Sequence, residues 1–154
     1  MSKGFVSAEE GHVAMLYEPL SIGAAATSDT ILMENWGHAS IYCLFGAGSG
    51  TTITVGECTS FAGSGRTAVT FRFAQEATSG GDTLDAALAW ASTITIAAGS
   101  AAVAVIEIDA DELTDGYPYL QVNIADPGTA KLGAVLAVLS GGRYQEDITA
   151  TVIA

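Results

Sequence analysis

The chain has 154 residues, 49% of them hydrophobic, and its 17 acidic residues against 5 basic ones give a net charge of −12. Nucleic-acid binding needs clustered lysine and arginine to displace phosphate counterions, and an anionic membrane repels an acidic surface. Neither nucleic acid nor membrane is therefore expected as a partner, and the length suits one domain with its own core.

The first 27 residues differ in character from the rest. They hold large apolar side chains without clean periodicity, and Pro19 and several glycines interrupt them. The opening MSKGFVSAEEGH has no long apolar stretch, so it is not expected to be a signal peptide. We predict an extended N-terminal arm over residues 1–27 that reaches a neighbouring protein. Its candidate contact residues are Phe5, Val6, Met15, Leu16, Tyr17 and Leu20.

From residue 28 the pattern changes to short apolar runs separated by glycine turns. Strands are predicted for ILMENW, SIYCLF, TTITV and TAVTFRF, at residues 31–36, 40–45, 51–55 and 67–73. In the last run, valine and phenylalanine at 69, 71 and 73 alternate with threonine and arginine at 70 and 72. That alternation is typical of an antiparallel strand with one buried face.

The second half continues this pattern around one ambiguous stretch. DTLDAALAW, residues 82–90, is predicted as a short helix capped by Asp82, with an extended crossing as the alternative. Further strands are predicted in STITIAAGS, AVAVIEI, YLQVNI and KLGAVLAVLS, with DITATVIA as a last strand or arm. About eight or nine short strands indicate an all-β fold, an antiparallel β-sandwich or jelly-roll-like barrel, with residues 28–154 as a single domain and at most one short helix.

The acidic segment IEIDADELTDGYPY is a candidate for a metal-binding loop. An EF-hand loop that begins at Asp109 would have Asp111 at its third position, but Leu113 at the fifth, Thr114 at the sixth and Leu120 at the twelfth, none of which fits. Glu107 is instead predicted on the solvent face of a strand, and DELTDG as a tight turn. No metal ligand set is expected here.

Catalytic patterns are equally absent from the sequence. GAGSGT, residues 46–51, has glycines at the wrong spacing for a dinucleotide loop and leads into a strand, so it is predicted as a hairpin turn. No GxSxG or HExxH motif occurs, and His12 and His38 lie in the arm and in a turn. Cys43 and Cys58 are predicted as buried thiols, with a disulfide between them as the alternative. The chain is therefore expected to be neither an enzyme nor a cofactor-binding protein.

Two long stretches resemble a known family. The first is IGAAATSDTILMENWGHASIYCLFGAGSGTTITVGECTSFAGSGRTAVTFRF, and the second is IEIDADELTDGYPYLQVNIADPGTAKLGAVLAVLSGGRY. Their strand, glycine turn, "TxTVxxC", "DADEL-DGYPY" and "AVLSGxRY" pieces resemble the decoration, or cement, proteins of tailed-bacteriophage capsids. The resemblance spans roughly residues 20–145 and consists of strand-and-turn motifs.

The resemblance implies a function by surface contact without chemistry. It implies a virion structural protein, made in the cytoplasm of the host bacterium, that binds the head exterior as a homotrimer and bridges subunits of the major capsid protein. A phage tail- or fibre-associated β-rich module that contacts a host glycan or another tail protein is the alternative.

Overall fold

A computed structural model describes residues 7–76, 83–84, 88–99 and 101–142 of the chain. Its helical pieces are α1 (Ser7–Glu10) and a 3-10 turn (Ala110–Glu112). The strands are β1 (His12–Ile22), β2 (Ala26–Leu32), β3 (His38–Phe45), β4 (Thr51–Cys58), β5 (Thr67–Ala68), β6 (Phe71–Glu76), β7 (Ala89–Ala91), β8 (Ile94–Ile96), β9 (Ala102–Asp109), β10 (Tyr119–Ile124) and β11 (Lys131–Ser140).

The strands form two antiparallel sheets. One sheet has six strands in the order β1-β11-β3-β9-β6-β7. The other has five, in the order β2-β10-β4-β5 with β8 also paired to β4. The predicted all-β antiparallel sandwich is thus confirmed. No helix in the described residues is long and apolar enough to cross a membrane.

The core lies between the two sheets and follows from alternation along the strands. In β3, β10, β11 and the first half of β4 every second side chain points inward, because successive side chains of a strand face opposite sides. Fully buried residues from the six-stranded sheet meet those from the five-stranded one, and β-branched side chains predominate. They include Ile41, Ile106 and Val135 on one side and Ile53, Val55, Leu120 and Val122 on the other.

The predicted strand over residues 67–73 is divided between the sheets. β5 pairs with β4, whereas β6 pairs with β9 in the other sheet. The backbone N–H of Val69 still donates to the carbonyl of Val55 in β4 (3.1 Å), so the chain passes from the five-stranded sheet to the six-stranded sheet between Val69 and Phe71. Phe71 then enters the core with no exposure, and Phe73 packs beside it in an edge-on arrangement at 6.4 Å.

The described part of the predicted arm belongs to the sandwich. β1 pairs along its length with β11, with two register shifts around Tyr17, and β2 crosses the predicted boundary at residue 28. Residues 12–27 therefore do not form a separate arm. The two register shifts and Pro19 obscured the period of two, which explains the lack of periodicity in the sequence.

Three further predictions differ from the structure or fall on residues that it does not describe. The helix predicted for residues 82–90 is not found in the described part of that stretch, where β7 begins at Ala89 and pairs with β6. The strand predicted for residues 31–36 lies earlier, as β2 at residues 26–32. Its start was missed because Ser28 and Thr30 are buried at inward positions that apolar residues usually occupy. The tail DITATVIA lies outside the described residues.

Candidate functional site

In a sheet with one face in water, the outward side chains are usually polar. The outer surface of the six-stranded sheet instead carries apolar side chains. Register places Met15, Leu136 and Tyr42 in one row across β1, β11 and β3. Four large side chains on this surface keep much of their area in contact with solvent. They are Val13 (49% exposed), Met15 (56%), Leu44 (43%) and Leu132 (63%). We call this surface, completed by Tyr42, Leu136 and Val138, the apolar face.

The outer surface of the five-stranded sheet has the opposite character. Thr27 and Thr54 flank Asn123 in one row, and the Thr27 hydroxyl donates to the Asn123 side-chain carbonyl at 2.9 Å. Gln121 donates to a backbone carbonyl at 3.2 Å, and Arg66 donates to the Thr54 hydroxyl at 3.1 Å. The chain thus has one ordinary polar face and one apolar face, which marks the apolar one for contact with another surface.

A charged cluster borders the apolar face at one end. His38 of β3 contacts two carboxylates of β9, with Nε2 at 2.7 Å from Glu107 and Nδ1 at 2.6 Å from Asp109. Arg72 of β6 pairs with Asp109 and lies 3.8 Å from Glu112. Together these five residues form what we call the charged cluster. Its side chains are held by pairing between strands, so it forms part of the folded sheet.

The cluster shifts the ionisation of two of its members. Burial alone would lower the pKa of His38, but hydrogen bonds to Asp109 and Glu107 and their negative charges raise it above its ordinary value. The pKa of Asp109 is lowered, mainly by the hydrogen bond from His38 and also by the charges of His38 and Arg72. The imidazolium form of His38 is therefore the form that this site stabilises.

Ser40, His38 and Asp109 resemble a nucleophile triad in outline only. The Ser40 hydroxyl lies 3.4 Å from His38 Nε2, but it donates to Glu107 at 2.7 Å, and the same Glu107 oxygen accepts from His38. With a carboxylate on each ring nitrogen, His38 donates at both and has no lone pair to accept the serine proton. The arrangement stabilises charge between strands and does not activate Ser40.

The acidic segment is a turn, as predicted, but two of its acids are not simply solvated. Glu107 and Asp109 belong to the charged cluster, while Glu112 folds back to accept the backbone N–H of Asp109 at 2.8 Å. Buried Glu57 accepts the backbone N–H of Thr114 at 2.8 Å and anchors the far side of the turn. Within the described residues no group of three or more His, Cys, Asp or Glu side chains forms a metal site.

The glycine loop at residues 46–50 is a turn, but the hairpin predicted there is wrong, because the loop leads from β3 of the six-stranded sheet to β4 of the five-stranded sheet and these two strands do not pair with each other. The structure adds a residue that its sequence neighbours did not suggest. Buried Lys131 donates from Nζ to the carbonyl of Ser49 at 2.9 Å and lies 6.0 Å from the Phe45 ring, and burial lowers its pKa. Its ammonium is enclosed by the protein, so it anchors this loop and is not placed to bind a phosphate.

The cysteines are buried free thiols, as predicted, and the alternative disulfide is not formed. Cys43 lies in β3 of the six-stranded sheet, and Cys58 ends β4 of the other sheet. Burial raises the pKa of Cys43 to about 12 and also raises the pKa of Cys58. Neither thiol is therefore placed to react with a reagent in solution.

The predicted contact residues separate into different environments. Met15 lies on the apolar face, and Leu20 is 47% exposed in the same edge strand. Leu16 is only 2% exposed and Tyr17 packs partly against the core, so Leu16 cannot contact a partner while the sandwich is folded. Phe5 and Val6 lie outside the described residues. The sequence analysis did not single out Leu44 and Leu132. Both lie in strands that it predicted, and the alternation of inward and outward side chains along those strands could have assigned them to the outer surface.

Comparisons with known proteins add a fold relationship. No protein-family model and no curated protein sequence matches the chain. Among solved structures, the SPBc2 prophage-derived protein YomS is similar with a TM-score of 0.52 and 9% identity, over 84% of this chain and 93% of YomS. At this identity the likeness shows a shared fold.

Two other solved structures match less well. A family two carbohydrate esterase from Cellvibrio japonicus has a TM-score of 0.26 at 10% identity, over 86% of this chain and 34% of the esterase. Infectious bursal virus derived T=1 particles give 0.29 at 12% identity, over 93% of this chain and 42% of that chain. Superpositions this poor support no conclusion about fold or function.

Proposed function

We propose that this protein is a non-enzymatic structural protein of a phage virion that binds other protein subunits through its apolar face. In its specific form, the proposal is a capsid decoration protein that lies on the outer surface of the head and bridges subunits of the major capsid protein. The observation that supports it is the exposed apolar surface of the six-stranded sheet in a strongly acidic chain.

The energetics favour a protein surface as the partner. Burying a large apolar side chain contributes about 1.5–3 kcal/mol before ordering is subtracted. Met15, Leu44 and Leu132 each have roughly half of that area available. One face thus supplies a weak contact, and repetition of the contact across a trimer converts weak contacts into stable attachment. The polar outer surface of the other sheet remains suited to solvent.

The phage setting has two supports. The sequence motifs resemble capsid decoration proteins, and the fold is similar to that of a prophage-derived protein. A net charge of −12 is also compatible with a particle exterior, because it disfavours adhesion to anionic nucleic acid and envelopes.

The test is co-sedimentation with undecorated heads of the phage that encodes the chain. Leu44→Glu puts a charge on the apolar face, and Thr27→Glu makes the same charge change on the polar sheet, so it is the matched control. We expect the Leu44 variant to lose binding about tenfold or more and the Thr27 variant to retain it. Equal binding by both variants, or no binding of the unaltered protein, would contradict the proposal.

Oligomeric state is tested separately by light scattering behind a sizing column. A trimer is expected if the contact is repeated before attachment to the head. A mass equal to one chain, in solution and on the head, would contradict the trimer.

The alternative function, a tail- or fibre-associated binding module, draws on a different surface. The rings of Phe61 and Tyr119 pack with their centroids 4.7 Å apart and their planes tilted by 49°, on the strand that carries Gln121 and Asn123 on the polar sheet. Aromatic rings next to amides are a usual setting for sugar contacts. A specific signal on a glycan array, abolished by Phe61→Ala in protein that ignores heads, would favour this function over decoration.

A further inference from the structure

Arg66 is held in a defined position on the outer surface of the five-stranded sheet. It ends the loop between β4 and β5, and its side chain lies along β4 over Gly56, where a Cβ atom would be only 2.6 Å from its Cγ and Nε atoms. Its Nη2 atom donates to the Thr54 hydroxyl at 3.1 Å. A glycine inside a strand weakens that strand, so Gly56 marks a place where the sequence makes room for the arginine.

The loop that carries this arginine, residues 59–66, is fixed by its own hydrogen bonds. The backbone N–H of Thr59 donates to the carbonyl of Ser64, and that of Gly63 donates to the carbonyl of Ser60, both at 3.0 Å. Gly63 has a φ of 70°, and a Cβ atom there would be 2.8 Å from the side-chain nitrogen of Gln121 in β10. The loop therefore packs directly on the sheet and orients the arginine before a ligand binds.

The charge of Arg66 has no carboxylate partner. The ion pairs in the described residues involve His38 and Arg72, and none involves Arg66 or the exposed Asp29 of β2. Glu57, next to Gly56 in the chain, is buried and accepts a backbone N–H of the acidic turn instead. One of the five N–H donors of Arg66 is bonded within the described part of the chain, and its Nε is buried without a partner there. With 17 acidic residues against 5 basic ones, acids are not scarce, so the guanidinium is left available to an anion from another molecule.

Aromatic and amide side chains lie beside the arginine along β10. Tyr119, Gln121 and Asn123 follow one another on its outer side, and Gln121 is opposite Gly56 in the register with β4. At about 3.3–3.4 Å per residue, this row is about 13 Å long. Phe61 packs on Tyr119 at one end of the row and is 37% exposed. The row thus places an aromatic surface on one side of the guanidinium and an amide on the other.

We propose that this surface, which we call the Arg66 site, binds an acidic sugar. It consists of Arg66 with Thr54, Phe61, Tyr119 and Asn123. A carboxylate pairs with the planar guanidinium, and the amide and hydroxyl groups of Asn123 and Thr54 bind sugar hydroxyls. An adjoining sugar ring packs against Phe61 and Tyr119. A net charge of −12 repels a polyanion, so the ligand carries one carboxylate on an otherwise neutral body.

A sugar suits this surface better than an acidic peptide does. In the five-stranded sheet β10 is paired on both sides, with β2 and β4, and β4 is paired with β10 on one side and with β5 and β8 on the other. A peptide therefore cannot add to either strand through its backbone. A sugar needs only the side-chain hydrogen bonds and ring contacts that the surface offers. The site lies on the sheet opposite to the apolar face, does not depend on attachment to a head, and gives the alternative function a class of ligand.

A glycan array tests the proposal with the full chain. Each glycan that ends in a sialic or uronic acid is printed beside the same glycan with its carboxyl group reduced to an alcohol. We expect signals at least about tenfold stronger for the acidic forms, because hydrogen bonds to a charged group contribute a factor of this size. Arg66→Gln should remove the preference. Leu44→Glu, the variant expected to lose head binding, should keep it.

Three array results would overturn the proposal. They are no binding of any acidic glycan, equal binding of the acidic and reduced forms, and an unchanged preference in Arg66→Gln with circular dichroism showing a folded protein. Binding of a glutamate-rich peptide that requires Arg66, without any glycan signal, would assign the site to a protein ligand and overturn it as well. Because Leu44→Glu alters only the apolar face, a failure here is distinct from a failure of head binding.

A second variant tests the position of the guanidinium while its charge is kept. Gly56→Ala puts a methyl group where Arg66 now lies, whereas Gly23→Ala meets no atom within 4 Å and is the matched control. Isothermal titration with the acidic glycan that gives the strongest array signal measures the affinity. We expect Gly56→Ala to weaken binding several-fold and Gly23→Ala to leave it unchanged, with both proteins folded. Equal affinities would overturn the placement of the carboxylate on Arg66.

Discussion

Replacing His38 with alanine removes the cation that two carboxylates share. In the folded protein both ring nitrogens are bonded, one to Glu107 and the other to Asp109. The substitution deletes both bonds and leaves the two carboxylates on neighbouring positions of β9 with like charge. Arg72 still neutralises Asp109, so the greater electrostatic loss falls on Glu107.

The magnitude follows from how far the site is exposed. Hydrogen bonds to buried charged groups contribute about 1.5–3 kcal/mol each, whereas fully exposed ion pairs contribute about 0.2–1 kcal/mol. The side chains of His38, Glu107 and Asp109 are 28%, 22% and 39% exposed, between those cases. We therefore expect His38→Ala to lower the free energy of unfolding by about 1–2 kcal/mol near pH 5.5.

The loss should depend on pH with a definite sign. Because the folded-state pKa of His38 is raised, its contribution is complete below the unfolded value of about 6.5 and declines as pH rises through the folded-state value. Neutral imidazole can donate at only one nitrogen, so one of the two carboxylate bonds is lost. The difference in stability between the unaltered protein and the variant should therefore be smaller near pH 8.5 than near pH 5.5.

Urea unfolding followed by circular dichroism measures this difference. With a denaturant slope of about 2 kcal/mol per molar, the midpoint should fall by roughly 0.5–1 M near pH 5.5 and by less near pH 8.5. A midpoint shift that is constant, or that grows toward high pH, would refute the role given to the protonated imidazole.

Two core substitutions test the packing between the sheets. Gly133→Ala would place a Cβ atom 2.5 Å from Cδ1 of Ile22 and 3.1 Å from the Phe45 ring, and both of these side chains are buried. We therefore expect the free energy of unfolding, measured with urea, to fall by about 1–3 kcal/mol. An unchanged urea midpoint would contradict this close approach. Phe71→Ala should lower the unfolding free energy by about 3–5 kcal/mol, and Phe73→Ala by clearly less because that ring is only partly buried; equal losses would contradict the assignment of Phe71 to the core.

The two ends of the sandwich differ in how they are fixed, and this bears on function. At one end the charged cluster ties β3, β9 and β6 together beside the apolar face. At the other, Lys131 holds the loop between β3 and β4 through Ser49. The exposed apolar side chains thus lie on a sheet that is braced at both ends. A rigid face needs little ordering when a partner binds, which lowers the entropic penalty of association.

The sequence by itself determined the class of fold and most strands. Alternation in β3, β10 and β11 is local, because a strand with one buried face must place an apolar residue at every second position. Residues 40–45, 119–124 and 131–140 were therefore predicted nearly as they fold. The turn at the glycine loop and the burial of both cysteines followed from equally local chemistry, whereas the placement of β3 and β4 in different sheets did not.

Only the tertiary structure decided which strands lie together. His38 meets Glu107 and Asp109 across about 70 positions of sequence, and that meeting requires the register between β3 and β9. The same holds for β1, whose partner β11 is more than a hundred positions away and whose bulges hide its period. Local patterns say which side of a strand is apolar, but the choice of partner strand determines whether that side becomes core, interface or charged cluster.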